Sequence, residues 1–321
     1  MNILITGGAG FIGSHLCDRY VTKGETVFCL DNFESGDLRN IYGLITNKNF
    51  KLVRGDIRDT SLLEKIMPRI NAIIHLAAQI HVERSIIEPQ LTYDVNVLGT
   101  LNVLEVARRH DVERVIHTST SEVYGSARST PMNEDHPLSA PHPYGASKIA
   151  ADRLCHAYIQ TYGMNICIAR PFNTFGPKQK DHGYGGAISI FTRRVLTGQP
   201  PIVYGDGNQT RDYMHIRDLV RAYDLILGNS KSLKEVINFG SGKDIKIVDL
   251  ANKIIELCGR KGKIKPVHVA PRPGEIAKMI ADYSKAKKLL GWEPKYTLDL
   301  GLGEFLEWYK DYKFAEWEKL G

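Results

Sequence analysis

The chain opens on Met1-Asn2-Ile3-Leu4-Ile5-Thr6 and passes at once into Gly7-Gly8-Ala9-Gly10-Phe11-Ile12-Gly13. Ser14 to Lys23 then reads as a helix closed by Gly24. The unbroken apolar run is the pattern of a strand buried on both faces, as in a parallel sheet. A glycine-rich turn between such a strand and a helix leaves few folds open. It predicts a crossover unit in which the helix packs back on the sheet and the next strand runs parallel to the first.

Further apolar runs follow the same rhythm at Thr26–Leu30, Phe50–Val53, Ala72–Ala77, Arg114–Thr118 and Ile166–Ala169. Helical stretches at Leu62–Met67, Gln90–His110 and Ser147–Tyr162 separate the later ones. This alternation predicts an α/β fold, a doubly wound parallel Rossmann sheet, over residues 1–170. Beyond Pro171 the rhythm loosens into a Gly-, Lys- and Pro-rich loop from Pro177 to Gly186. Helices are expected at Ile188–Leu196, Leu219–Leu227, Ile247–Leu257 and Leu300–Tyr312, with strands at Ile202–Tyr204 and Val236–Phe239. Residues 171–321 thus read as mainly a smaller α/β substrate-binding cap, with a segment near 212–240 returning to the sheet.

Gly7, Gly10 and Gly13 recur every third residue, with Phe11 and Ile12 between them. Glycine allows the tight turn and a close backbone approach, and the helix N-terminus offers N–H groups to a pyrophosphate. Asp31, followed by Asn32, ends the second strand at about the twenty-residue distance expected of a ribose-binding carboxylate. A carboxylate there accepts from the ribose hydroxyls and repels a 2′-phosphate, which predicts NAD rather than NADP as cofactor. Asp56-Ile57 is placed to border the adenine, although an ordinary turn aspartate is an equal reading. Leu76-Ala77-Ala78 ends the fourth strand with small residues that let backbone lie against a flat cofactor.

The net charge of +6 over 321 residues comes without a basic block, so no nucleic-acid partner is expected; a mild positive balance suits an anionic small ligand. Cys17, Cys29, Cys155, Cys167 and Cys258 lack metal-ligand spacing, and no metal site is expected. With neither a positive n-region before a long apolar run nor a membrane-length apolar segment, the expectation is a cytoplasmic protein without a membrane partner.

The second informative stretch is Thr118-Ser119-Thr120-Ser121-Glu122, followed by Tyr144-Gly145-Ala146-Ser147-Lys148. Tyr144 and Lys148 are four apart and share a face if helical. A phenol with an ordinary pKa of about 10 needs roughly 4 kcal/mol to become a base at neutrality, which a cation in a dry cleft can supply. Ser119-Thr120-Ser121 closes the fifth strand at the carboxyl edge where open sheets bind ligands. Thr120 then donates to a substrate oxygen, Tyr144 takes its proton, and Lys148 tunes Tyr144 and holds the nicotinamide ribose.

Taken together, Thr6–Gly13, Tyr144 with Lys148, Arg170-Pro171-Phe172-Asn173, Arg211-Asp212-Tyr213 and Arg272-Pro273-Gly274-Glu275 resemble the extended short-chain dehydrogenase/reductases, specifically the nucleotide-sugar epimerases and dehydratases. The resemblance spans nearly the whole chain. It implies a nucleotide-diphosphate sugar as substrate, held by Asn173, Arg211 and Arg272, and a homodimer built on the Gln90–His110 and Ser147–Tyr162 helices. Thr120-Ser121-Glu122 resembles the GDP-mannose dehydratases, some UDP-N-acetylglucosamine dehydratases and the UDP-glucuronate decarboxylases. The segment His81-Val82-Glu83-Arg84-Ser85 looks like that of dTDP-glucose 4,6-dehydratases, with His81 and Arg84 toward the substrate; a structural histidine is the competing reading.

The resemblance implies a 4,6-dehydratase in which Glu122 takes the C5 proton, with a 4-epimerase and then a decarboxylase as alternatives. The dTDP-glucose enzymes carry Asp-Glu where this chain has Ser121-Glu122, so their acid for the leaving hydroxyl is missing: either a water or Ser121 substitutes, as in the GDP-mannose branch, or the enzyme does not dehydrate. A nicotinamide-sensing regulator on the same fold is expected to lack the Tyr-Lys pair that this chain keeps.

Overall fold

The computed structural model describes residues 1–181, 185–272 and 274–317, with side chains up to residue 312. In chain order the strands are β1 (Asn2–Thr6), β2 (Thr26–Asp31), β3 (Phe50–Arg54), β4 (Ala72–His75), β5 (Arg114–Thr118) and β6 (Ile166–Pro171). They continue as β7 (Asn173–Phe175), β8 (Ile202–Tyr204), β9 (Thr210–His215), β10 (Val236–Phe239), β11 (Asp244–Lys246) and β12 (Val267–Val269). Seven of them form one parallel sheet in the order β10-β6-β5-β4-β1-β2-β3. This is the doubly wound Rossmann sheet that the sequence predicts. The direction of winding reverses between β1 and β4, where the sheet opens a crevice at the strands' carboxyl ends.

Both sheet faces are covered, as the apolar strands require. Ile3, Ile5, Val27 and Ile74 meet Leu16, Tyr20, Leu219 and Tyr223 on one face. Leu4, Leu30, Ile73 and Val115 meet Val103, Leu104, Cys155 and Ile159 on the other. A third cluster, with Phe175, Phe191, Val203, Tyr213, Leu250, Ile254 and Phe305, forms the core of the smaller region. There β11, β9 and β7 make a three-stranded sheet, and β12 pairs with β8.

The differences from expectation have local causes. The run expected as Ala72–Ala77 ends as a strand at His75: the Leu76 N–H is shared between the Thr6 carbonyl and hydroxyl, both at 3.1 Å, and the Ala77 N–H goes to that hydroxyl at 3.2 Å. The stretch expected as one helix over Gln90–His110 starts at Pro89, and Asp94–Leu98 winds as a π-helix before an α-helix from Gly99 to Arg109. Tyr144 lies inside a helix that begins at Pro143, not Ser147, since proline suits the first helical turn. Residues 212–215 belong to β9 of the small sheet, so the part that rejoins the large sheet starts with the helix Ile216–Gly228 and ends with β10.

One return had no signal in the sequence pattern. The helix Ser284–Leu290 and Trp292 join the core of the large sheet, with Trp292 fully buried. The indole N–H donates to the Asp218 carbonyl at 3.0 Å, while the Asp218 carboxylate accepts from the Lys295 and Tyr296 N–H groups at 2.9 and 2.8 Å. Trp292→Ala should cost about 3–5 kcal/mol, the range for deleting a buried large aromatic. It should appear in urea titration as a lower midpoint with an unchanged slope.

Candidate active site

The crevice at the β1/β4 switch opens into a cleft of about 450 Å³ that runs from the glycine-rich turn to the start of the Pro143–Tyr162 helix. At one end Gly7 has φ +70°, and a Cβ on it would stand 2.9 Å from the Ala77 backbone nitrogen. A Cβ on Gly13 would stand 2.2 Å from the Gly7 carbonyl oxygen, so any larger residue there would force turn and helix apart. The helix that follows, Phe11–Thr22, has no side-chain cap at Gly10, which leaves its first N–H groups facing the cleft for an anion.

Asp31 is buried at the end of β2, and its carboxylate accepts from the N–H groups of Ala9 at 2.9 Å and Phe33 at 2.8 Å. Burial raises its pKa against those two hydrogen bonds. Asp56 accepts from Asn32 at 2.8 Å and from both arms of Arg58, which holds its pKa at about 2. Asn32, Asp56, Ile57, Leu76, Ala77 and Ala78 line the same end of the cleft. The glycine cradle, the uncapped helix start and the buried carboxylate fit a dinucleotide: phosphates at the turn, ribose at Asp31, and a flat ring against Leu76–Ala78.

At the other end stand Thr120, Ser121, Glu122, Tyr144 and Lys148. Thr120 caps a short 3-10 turn, Ser121–Tyr124, by accepting from the Glu122 N–H at 3.2 Å, which aims Glu122 into the cleft mouth. The Tyr144 hydroxyl stands near Thr120, whose influence favours the phenolate. Its backbone N–H donates to the Ser85 hydroxyl at 3.0 Å, and its carbonyl accepts from the Ser147 hydroxyl at 2.7 Å.

Tyr144 and Lys148 lie one turn apart on the Pro143–Tyr162 helix and both line the cleft. Burial pushes the Tyr144 phenol above its ordinary pKa, Thr120 pulls it down, and the Glu122 charge raises it further. The Lys148 ammonium donates to the Thr118 carbonyl at 2.7 Å, and burial lowers its pKa to about 8 although Asp152 pulls the other way. Helical spacing puts the two residues on one face, and the buried carbonyl at the end of β5 gives the buried ammonium an acceptor.

Of the expected substrate-binding residues, His81, Arg84, Thr120 and Asn173 line the cleft. The Asn173 side-chain nitrogen is buried and meets no acceptor, which suits a ligand oxygen. Burial lowers the His81 pKa to about 4, with Lys180 and Arg84 adding to the effect. Arg84 pairs with Glu34 at 2.5 Å and Glu88 at 3.1 Å. Arg211 and Arg272 do not line the cleft. Arg211 donates to Glu275 at 2.5 Å and to the Ile276 carbonyl, and Arg272 lies 3.9 Å over the Tyr204 ring with Glu83 at 3.3 Å. Within the Arg272–Glu275 motif, Pro273 lies outside the described residues, as do residues 182–184 of the Pro177–Gly186 loop.

Asn96, Ser85 and His142 escaped the sequence reading. Asn96, in the π-turn, holds the Gln79 backbone through both N–H and carbonyl at 2.7 and 2.9 Å, and donates to Ser147 at 2.9 Å. A buried asparagine in mid-helix is disfavoured unless it does such work, and that was the signal available. Among the described residues, no cluster of His, Cys, Asp or Glu has metal-site geometry, and no helix is long and apolar enough to cross a membrane.

The Lys148 environment gives a pH test. Its pKa in the fold, about 8, lies below the ordinary 10.5. Between those values the unfolded chain binds the extra proton, so this group makes stability rise with pH there; below that window both states are protonated and the contribution is constant. Lys148→Met should remove that rise. The unfolding free energy of the native protein should gain on the variant from about pH 8 to 10.5, as read by urea titration.

Comparison with known proteins agrees with this geometry. The family description for GDP-mannose 4,6-dehydratase matches residues 4–305. A dTDP-glucose 4,6-dehydratase of Streptomyces niveus is 36% identical over all of this chain and 96% of its own. A UDP-glucose 4-epimerase of Mycolicibacterium smegmatis is 35% identical over 97% of this chain and 99% of its own. The crystal structure of a dTDP-glucose 4,6-dehydratase from Streptomyces venezuelae, solved with NAD bound, superposes with a TM-score of 0.92 at 32% identity over 98% of both chains. The chain therefore belongs to the GDP-mannose 4,6-dehydratase family, within the extended short-chain dehydrogenase/reductases that include the nucleotide-sugar dehydratases and epimerases.

Proposed function

We propose that this protein is an NAD-dependent nucleotide-sugar 4,6-dehydratase. The observation that carries the reading is Glu122: a carboxylate lining the same cleft as Thr120, Tyr144 and Lys148, two residues from the Thr120 that would hold the C4 oxygen. Epimerisation at C4 has no use for a base beside C5; elimination across C5 and C6 requires one.

Gly7, Gly10, Gly13, Asp31 and the Leu76–Ala78 backbone would hold the cofactor, and Lys148 its nicotinamide ribose. Bound NAD supplies a reversible hydride acceptor at C4 of the sugar. Thr120 donates to the C4 oxygen while Tyr144 takes the hydroxyl proton, leaving a C4 ketone. The ketone acidifies the C5 hydrogen, which Glu122 removes. The C6 hydroxyl then departs as water, with Ser121 or a water molecule relaying the proton where relatives carry an acid. With NAD held by the glycine turn and Lys148, the hydride taken from C4 would end on C6, and Glu122 would return its proton to C5, so that the net change is the loss of one water.

The alternative is a 4-epimerase, favoured by Ser121 in place of an acid and by a relative of that activity. A homodimer belongs to the same reading: Tyr93 and Leu98 stand exposed on the Pro89–Arg109 helical stretch. Sedimentation at micromolar concentration should give twice the monomer mass, and a single monomeric species would count against it.

A panel of UDP-, dTDP-, GDP- and CDP-sugars read by mass spectrometry separates the chemistries. Loss of water supports dehydration, unchanged mass with altered chromatography supports epimerisation, and loss of carbon dioxide supports decarboxylation. Tyr144→Phe should keep bound cofactor and lose turnover by about 10²–10⁴-fold, the usual worth of a general base. Glu122→Gln should still oxidise C4, accumulating the near-ultraviolet absorbance of reduced nicotinamide, and form no product. Normal product formation by that variant would remove the dehydratase reading.

A further inference from the structure

His142 lies just outside the cleft and touches it through Glu122. Its Nε2 is 3.1 Å from the Glu122 carboxylate, and its Nδ1 accepts from the Gly145 backbone N–H at 3.1 Å. A backbone amide only donates, so Nδ1 must carry the lone pair, and the neutral ring bears its proton on Nε2, pointed at the carboxylate. The helix N-terminus thereby chooses the tautomer. The ring is 6% exposed and stacks on Tyr144 at 6.0 Å, with planes 12° apart.

A common N-cap residue (Ser, Thr, Asp or Asn) satisfies the helix N–H but is too short to reach a second group beyond it. Histidine does both. The packing around it is also tight. A Cβ on Gly145 would meet the Glu122 carbonyl at 3.0 Å and the His142 ring at 3.2 Å, so the helix start sits directly against the Glu122 backbone.

We infer that His142 is a positioning residue: it locks the Glu122 carboxylate to the helix that carries Tyr144 and Lys148, so that the C5 base and the C4 proton acceptor move as one body. This rests on the base role proposed for Glu122. The two groups act on adjacent sugar carbons, and misplacing a reacting group by about 1 Å can cost 10²-fold in rate. A carboxylate on a short 3-10 turn has no such precision of its own.

His142→Asn separates the two functions, because asparagine caps the helix but does not reach Glu122. This variant should match the native protein in melting temperature and in C4 oxidation, read by nicotinamide absorbance. Its exchange of the C5 hydrogen with deuterated solvent, and its loss of water, should fall about 10–100-fold. His142→Ala should show the same defect and melt lower. Nitrogen NMR of the native protein should show a bare Nδ1 and a protonated Nε2, and the Nε2–H resonance should shift in Glu122→Gln. A protonated Nδ1 would overturn the inference, as would native C5 exchange in His142→Asn. If that variant exchanges normally while Glu122→Gln does not, the inference falls and the base role stands. If both variants turn over normally, both readings fall.

Discussion

A buried line of hydrogen bonds joins the turn after β1 to the start of the Tyr144 helix, and both ends of the cleft are hung on it. Thr6 accepts from the Leu76 and Ala77 N–H groups and bonds to His75 Nδ1 at 2.7 Å; His75 Nε2 reaches Thr100 at 3.0 Å. The Thr100 hydroxyl donates to the Asn96 carbonyl at 2.6 Å, and the Asn96 amide donates to Ser147, whose hydroxyl donates to the Tyr144 carbonyl. Because Thr100 is committed as a donor, it accepts from His75 Nε2, which leaves Nδ1 to accept from Thr6. Burial drives the His75 pKa well down, so the ring stays neutral and this order is kept. Satisfied buried networks of this kind are costly to disturb and fix one arrangement.

That line explains why the chain departs from regular structure where it does. The strand after Ala72 stops early so that its next two amides can close the crevice onto Thr6. The π-turn at Asp94–Leu98 brings Asn96 under Gln79 and Ser147; such turns often sit at functional sites. Beneath Lys148, Arg170 pairs with Asp152 at 2.9 Å in full burial, and the ammonium sits on the Thr118 carbonyl. The polar side of the site is therefore built from strand ends and helix starts, with the apolar clusters of the two sheet faces behind it.

Much of the fold was legible because its signals are local. An unbroken apolar run, three glycines at fixed spacing and a carboxylate one strand later state the sheet and the phosphate turn without reference to anything distant. Gly7 and Gly13 are legible for the same reason: the turn needs a positive φ at Gly7, and the Gly7 carbonyl leaves no room for a Cβ on Gly13. The strands β7, β9 and β11 were not legible: β7 and β11 are three residues long, β9 is mostly polar, and all pair only with strands far along the chain. Trp292 carried no sign that it would return to the large sheet, because the groups that receive it lie about 74 residues away. Arg211 and Arg272, which the resemblance assigns to the nucleotide-diphosphate sugar, stand beside Glu275 and Glu83, contacts between segments that no local pattern announces.

The sequence by itself determined the α/β class, the dinucleotide turn, and which side chains supply hydroxyl, phenol, ammonium and carboxylate to one edge of the sheet. Only the tertiary structure decided how those groups are coupled. It set the Lys148 ammonium on the Thr118 carbonyl and brought Tyr144 near Thr120. It also set Glu122 against His142 at the head of the Tyr144 helix. The physical reason is that helical spacing fixes which residues share a face, whereas the partner of a buried polar group is whichever donor or acceptor the packed neighbours leave unpaired.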